Sequence, residues 1–223
     1  MNLNKLKIII TSTLVIGACL SSSPTIAFAQ NKTESTQEII QSQIEAFDSV
    51  DAEIRENRSM AVRPDKESND KERAGTYPTR KGVILVTRDG TLDKLVGHAG
   101  IVYNSSTTVE SFPRSASPIN AEGVTTYSNT WNSRYKKVYG VTTSGTSTTQ
   151  DANAANIAYG YRGRAYNWNF LDINTTNSFY CSQLVYRSYL NATGKNLNQG
   201  GGIVSPIDLV QSGITYNIYT QGV

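Results

Sequence analysis

The sequence predicts an α+β fold, a mostly antiparallel sheet with helices packed on it, and three observations carry that expectation. From residue 82 onward, short apolar runs with period-two alternation recur at strand length. Among them lie three segments with helical spacing, two opened by residues able to cap free amides. Ahead of all of these, residues 36–58 set Ile39, Ile40, Ile44, Phe47, Val50 and Ile54 along one helical stripe.

Taken in chain order, the first 29 residues have the layout of a secretory signal. Lys5 and Lys7 precede an apolar stretch from Ile8 to Leu20, and Ala27-Phe28-Ala29 offers a small-residue cleavage site before Gln30. A competing reading takes Leu14 to Cys19 as a lipid-attachment box that anchors the protein through Cys19, but the cleavage site fits better. The expectation is therefore a signal peptide over 1–29 and a secreted, extracellular protein, possible wall association included. After residue 30 no apolar run is long enough to span a bilayer.

Residues 30–78 hold the striped helix and then PDKESNDKERAGTYP, a charge-dense linker broken by Pro64, Gly75 and Pro78. The main domain is expected over 79–223, a length suited to one core. Strands are predicted at 82–87 (GVILVT), 95–103 (LVGHAGIVY), 107–112 (TTVESF), 122–127 (EGVTTY), 135–142 (YKKVYGVT) and 214–219 (ITYNIY), with Arg88-Asp89-Gly90-Thr91 as the turn between the first two. Helices are predicted at about 148–160, capped by Ser147 and Thr148, at 181–192, and in a short segment with Ser205 as cap and Pro206 in its first turn.

Composition narrows the function classes. Hydrophobic residues make up 38% and charged residues 17% of the 223, an ordinary globular balance. Removing Lys5 and Lys7 from the formal charge of +3 leaves +1, since residues 1–29 contain no acid, so there is no basic footprint for nucleic acid. The run Gly200-Gly201-Gly202 lacks the partners of a phosphate loop. One histidine and one cysteine after signal removal cannot build a zinc site of the usual type, and no cofactor is expected.

With Cys19 removed, Cys181 has no partner for a disulfide, an unusual state for an exported chain. It stands where a helical pattern begins. A thiolate there faces unpaired amides and the positive end of the helix dipole, which can bring a cysteine pKa down to roughly 3.5–7.5. The only histidine of the chain, His98, lies within LVGHAGIVY beside Gly97, Ala99 and Gly100, and histidine is the residue suited to general acid and base work. If an odd-length loop around Asn104-Ser105-Ser106 joins strands 95–103 and 107–112, residues of equal parity share a face. Glu110 then falls opposite or diagonal to His98 and can orient its ring. An even-length loop would instead leave Glu110 an exposed strand residue. The backbone N–H of Cys181 is a candidate oxyanion donor, and Tyr180 and Tyr166 are candidates for lining the substrate pocket.

The motifs GVILVT, GHAGIVY, VES and FYCSQLVYRSY, followed by VSPIDLVQSG, together resemble the permuted branch of the NlpC-type papain-like hydrolases, the YiiX and YebB kind, over roughly residues 80–220. In that branch the histidine strand and its acidic partner precede the cysteine helix. His98, Glu110 and Cys181 fall on those positions in that order. The resemblance implies a papain-like half-barrel sheet with the cysteine helix packed on it, and a cysteine peptidase or amidase activity, often on cell-wall peptides. It also implies the principal alternative, a lipid-directed acyl hydrolase or acyltransferase similar to lecithin retinol acyltransferase. A non-catalytic wall-binding module is the third reading. The expected partner is a peptide or peptidoglycan-derived substrate; the sequence sets no oligomeric state.

Overall fold

The computed structural model describes residues 24–61 and 73–223. Much of the expected signal peptide and most of the charged linker lie outside the described residues. Thr36–Val223 form one compact unit, and Met1–Ser35 group separately.

Helix α1 runs from Pro24 to Ala61 and includes the predicted stripe. The strands are β1 (Arg73–Ala74), β2 (Ile84–Leu92), β3 (Leu95–Asn104), β4 (Thr107–Phe112) and β5 (Gly123–Ser128), followed by the one-turn helix α2 (Trp131–Arg134) and β6 (Val138–Thr143). Then come α3 (Thr148–Gly160), the short strands β7 (Ala165–Tyr166) and β8 (Ser178–Phe179), α4 (Cys181–Thr193), α5 (Pro206–Gln211) and β9 (Thr215–Gln221). The main sheet has the order β1-β9-β6-β2-β3-β4-β5, and every neighbouring pair in it is antiparallel. The α+β class and the mostly antiparallel sheet are as expected; the sheet is open rather than a closed barrel.

The main core takes its sheet side chains from Ile84, Val86, Ile101, Val109 and Val141, and its helical ones from Ala154, Ala155 and Ala158 of α3 and Leu184 and Val185 of α4. Phe47 and Val50 of α1 belong to the same cluster. Alternation along each strand sends Val83, Leu85 and Val102 to a second, smaller cluster around Trp131. Helix α3 begins with a capping box, in which Ser147 Oγ accepts from the Gln150 N–H at 3.2 Å and Gln150 Oε1 from the Ser147 N–H at 2.9 Å.

One local expectation is corrected. Arg88-Asp89-Gly90-Thr91 is not the turn between the first two strands; it lies inside β2, and Asp93 and Lys94 make the turn. Thr87 pairs with His98 and Thr91 with Val96, so three residues, Arg88 to Gly90, stand opposite Gly97 alone. This is a bulge with two extra residues on β2. Gly97 accommodates it with φ +83, and a Cβ there would sit 1.9 Å from the Thr87 carbonyl oxygen.

Candidate active site

Strands β3 and β4 bring His98 and Glu110 together by a route other than the one the sequence suggests. The connection is even in length, the two residues Ser105 and Ser106 between Asn104 and Thr107. A clean hairpin on that turn would place Glu110 on the face opposite His98. A bulge at Tyr103 shifts the register by one, so that Gly100 pairs with Glu110, and residues of equal parity again share a face. Glu110 is therefore diagonal to His98, and its Oε2 lies 2.9 Å from His98 Nε2.

Glu110 is fully buried. Its Oε1 accepts from the Trp131 indole N–H at 2.9 Å, from the Thr108 hydroxyl and from the Arg134 guanidinium. Burial would raise its pKa, but the hydrogen bond and charge of His98 and the charge of Arg134 outweigh that and hold the carboxyl below its ordinary value. Close approach of these groups requires Gly100: a Cβ there would lie 2.7 Å from Glu110 Cγ and 2.9 Å from a Trp131 ring carbon.

The His98 ring is stacked on Phe112, with centroids 3.8 Å apart and 20° between the planes, and Trp131 lies 5.5 Å away at 22°. Nε2 is occupied by Glu110, which leaves Nδ1 for Cys181. Charge attraction couples the two side chains, each favouring the charged form of the other, and both line one cleft. Burial pushes His98 toward the neutral form, yet Cys181 and then Glu110 raise its pKa above the ordinary value.

Cys181 is the first residue of α4 and is 4% exposed. The helix start is fixed by Gln183, whose Oε1 accepts from the Tyr180 N–H at 3.2 Å and whose Nε2 donates to the Asp172 carbonyl at 2.9 Å. Ser111 of β4 ties the same segment to the sheet by donating to the Phe179 carbonyl at 2.6 Å. Desolvation alone would raise the thiol pKa. His98, the Ala99 backbone N–H and the Ser182 hydroxyl reverse that and lower it. The opposite shifts of the two partners favour a thiolate facing an imidazolium.

Cys181 and His98 open on a cleft of about 200 Å³, walled by Asp89 to Leu92 and Gly97 on one side and by Phe112, Pro113 and Ala116 on another. The two tyrosines nominated from the sequence separate here. Tyr166 lines the cleft, and its hydroxyl is buried without a hydrogen-bond partner among the described residues. Burial and the neighbouring sulfur raise its pKa, so it stays a neutral donor. Tyr180 does not line the cleft. Its side chain is fully buried in the core, its hydroxyl donating to the Phe170 carbonyl at 3.3 Å and accepting from the Val204 N–H at 3.0 Å. Sequence reasoning missed Trp131 and Arg134, which brace Glu110, and the Ala99 N–H; the signal available for Trp131 was its rarity, as one of two tryptophans.

A family model described as permuted papain-like amidase enzyme, YaeF/YiiX, C92 family, matches residues 88–201, just over half of the 223-residue chain. No curated protein and no solved structure matches the chain.

Proposed function

Since the chain belongs to this family of permuted papain-like amidases, we propose that it is an exported cysteine hydrolase that cuts amide bonds through a thioester, with Cys181 as nucleophile, His98 as general acid and base, and Glu110 as the group that orients His98. The observation that carries this reading is the placement of the Cys181 sulfur and the His98 imidazole on one cleft, with the buried Glu110 carboxylate bonded to the imidazole.

In the resting pair the thiolate attacks the carbonyl carbon and the π electrons move onto oxygen. The Cys181 backbone N–H, which has no acceptor within its own helix, and the unpartnered Tyr166 hydroxyl are the donors we assign to that oxyanion. Collapse breaks the C–N bond, and the leaving amine takes the proton of His98 Nδ1. Water then attacks the thioester and gives its proton to His98. Collapse of the second tetrahedral species expels the thiolate, releases the acid, and restores the starting ion pair.

Peptide stems of peptidoglycan are the substrate we propose, on the basis of the expected leader and of the family's amidase character. No described helix is long and apolar enough to cross a membrane. The test is incubation of the protein and of Cys181→Ala with purified peptidoglycan, followed by mass analysis of released fragments. Peptide fragments from the first sample alone are the expected result. Equal release by the variant would dispose of the thiolate mechanism.

A further inference from the structure

The matched family region begins at residue 88 and leaves α1 unexplained. Three side chains of that helix reach into the sheet at one place, the β2–β3 hairpin. Gln43, almost fully buried, donates from Nε2 to the Lys94 carbonyl at 2.7 Å and accepts at Oε1 from the Val96 N–H at 3.0 Å. It thus bonds the backbone on both sides of Leu95 and holds the first residues of β3. Asp48 and Asp51 both bind Arg88, at 2.7 and 2.8 Å. Asp51, 1% exposed, also takes Lys137 and the Tyr139 hydroxyl, and the Arg88 guanidinium lies over the Phe47 ring.

Arg88 is the first residue of the β2 bulge. The next residue, Asp89, is anchored on the other side by the Lys136 and Lys137 backbone N–H groups. Between these two moorings the bulge turns Asp89 and Gly90 toward the cleft, where they continue into Thr91 and Leu92. A bulge has lost its ladder hydrogen bonds, so its position depends on what holds its side chains. Here α1 supplies one of the two moorings, through Arg88.

We propose that α1 is a working part of the hydrolase: Gln43, Asp48 and Asp51 are positioning residues that hold the β2–β3 hairpin where it forms one wall of the Cys181 cleft. The proposal rests on the reading of that cleft as the site of acyl transfer. Cys181 and His98 are held by α4, Phe112 and Glu110, apart from the α1 contacts. Loosening the wall therefore affects the grip on a large acyl group more than it affects the sulfur.

The test uses the full chain and two ester probes, p-nitrophenyl acetate, which needs little of the wall, and p-nitrophenyl hexanoate, which lies along it. Gln43→Leu and Arg88→Met are expected to raise KM for the hexanoate about fivefold or more, with kcat for both esters and KM for the acetate within about twofold of the parent. Arg88→Lys, which keeps the charge, restores most of the hexanoate KM. Val50→Ala, a core change on the same helix away from the hairpin, lowers Tm without moving the ratio of the two KM values. An unchanged ratio in both Gln43→Leu and Arg88→Met overturns the proposal, and so does an equal change in Val50→Ala, which would reduce α1 to structural support. Ester hydrolysis that persists undiminished in Cys181→Ala would strike the reading of the cleft itself, a result separable from the others.

Discussion

Replacing Glu110 by glutamine tests the site at the group farthest from the substrate. The carboxylate has four partners, and three of them, Trp131, Thr108 and Arg134, converge on Oε1. A glutamine keeps its oxygen toward those three donors and must then turn its NH2 toward His98. The ring nitrogen facing it becomes an acceptor, so the imidazole is neutral with its proton on Nδ1. What disappears is one charge-assisted hydrogen bond to the imidazolium, about 1.5–3 kcal/mol. At 1.36 kcal/mol per decade, kcat/KM falls about 10- to 150-fold. The same energy moves a titration by about one to two units. The direction follows from the coupling: the imidazolium is less stable, the thiolate loses its counter-charge, and the Cys181 pKa rises toward its ordinary value of 9.0. The assay is the pH profile of iodoacetamide alkylation of Cys181, followed by mass, with circular dichroism to confirm the fold. An acid limb that stays within about 0.3 units of the parent, with a rate within threefold, would refute the assigned role of Glu110.

Two further outcomes follow from the same geometry. Tyr166→Phe removes a hydroxyl that has no other partner, so its fold cost is small; kcat is expected to drop about a hundredfold while iodoacetamide alkylation, which forms no oxyanion, stays unchanged. Asp51 is held below its ordinary 3.8; burial raises it, and Lys137, Tyr139 and Arg88 together more than reverse that. Its contribution to stability is thus full above that value and is lost as pH falls through the lower folded pKa. Urea midpoints taken between neutral and strongly acidic pH are expected to fall less for Asp51→Asn than for the parent, from a lower starting value.

The six longer strands and the three later helices were legible because each carries its own period, and two of the helices a capping residue, and these are local properties; the two-residue strands β1, β7 and β8 are too short to carry one. The ladder register was not. The sequence suggested an odd loop, the chain uses an even turn with a bulge at Tyr103, and the two departures cancel to leave Glu110 beside His98. The β2 bulge was hidden for a related reason: Arg88-Asp89-Gly90-Thr91 has turn chemistry, and only contacts from distant residues, Asp48, Asp51 and the Lys136 and Lys137 amides, keep it within a strand. Trp131 and Arg134 come from a one-turn helix with too little length for a period. Their pairing with Glu110 is tertiary, as is the use of the Tyr180 hydroxyl inside the core.

The packing of His98 against Phe112 and Trp131 gives the molecule an optical handle on its own charge state. A protonated imidazole quenches an adjacent indole much more strongly than a neutral one. Trp131 lies parallel to the ring and is shielded from water, while Trp168, the other tryptophan, is 53% exposed and emits at longer wavelength. The blue edge of the emission is thus expected to follow the proton on His98 and to brighten when that proton leaves, so the acylation step proposed for Cys181 has a readout that needs no label.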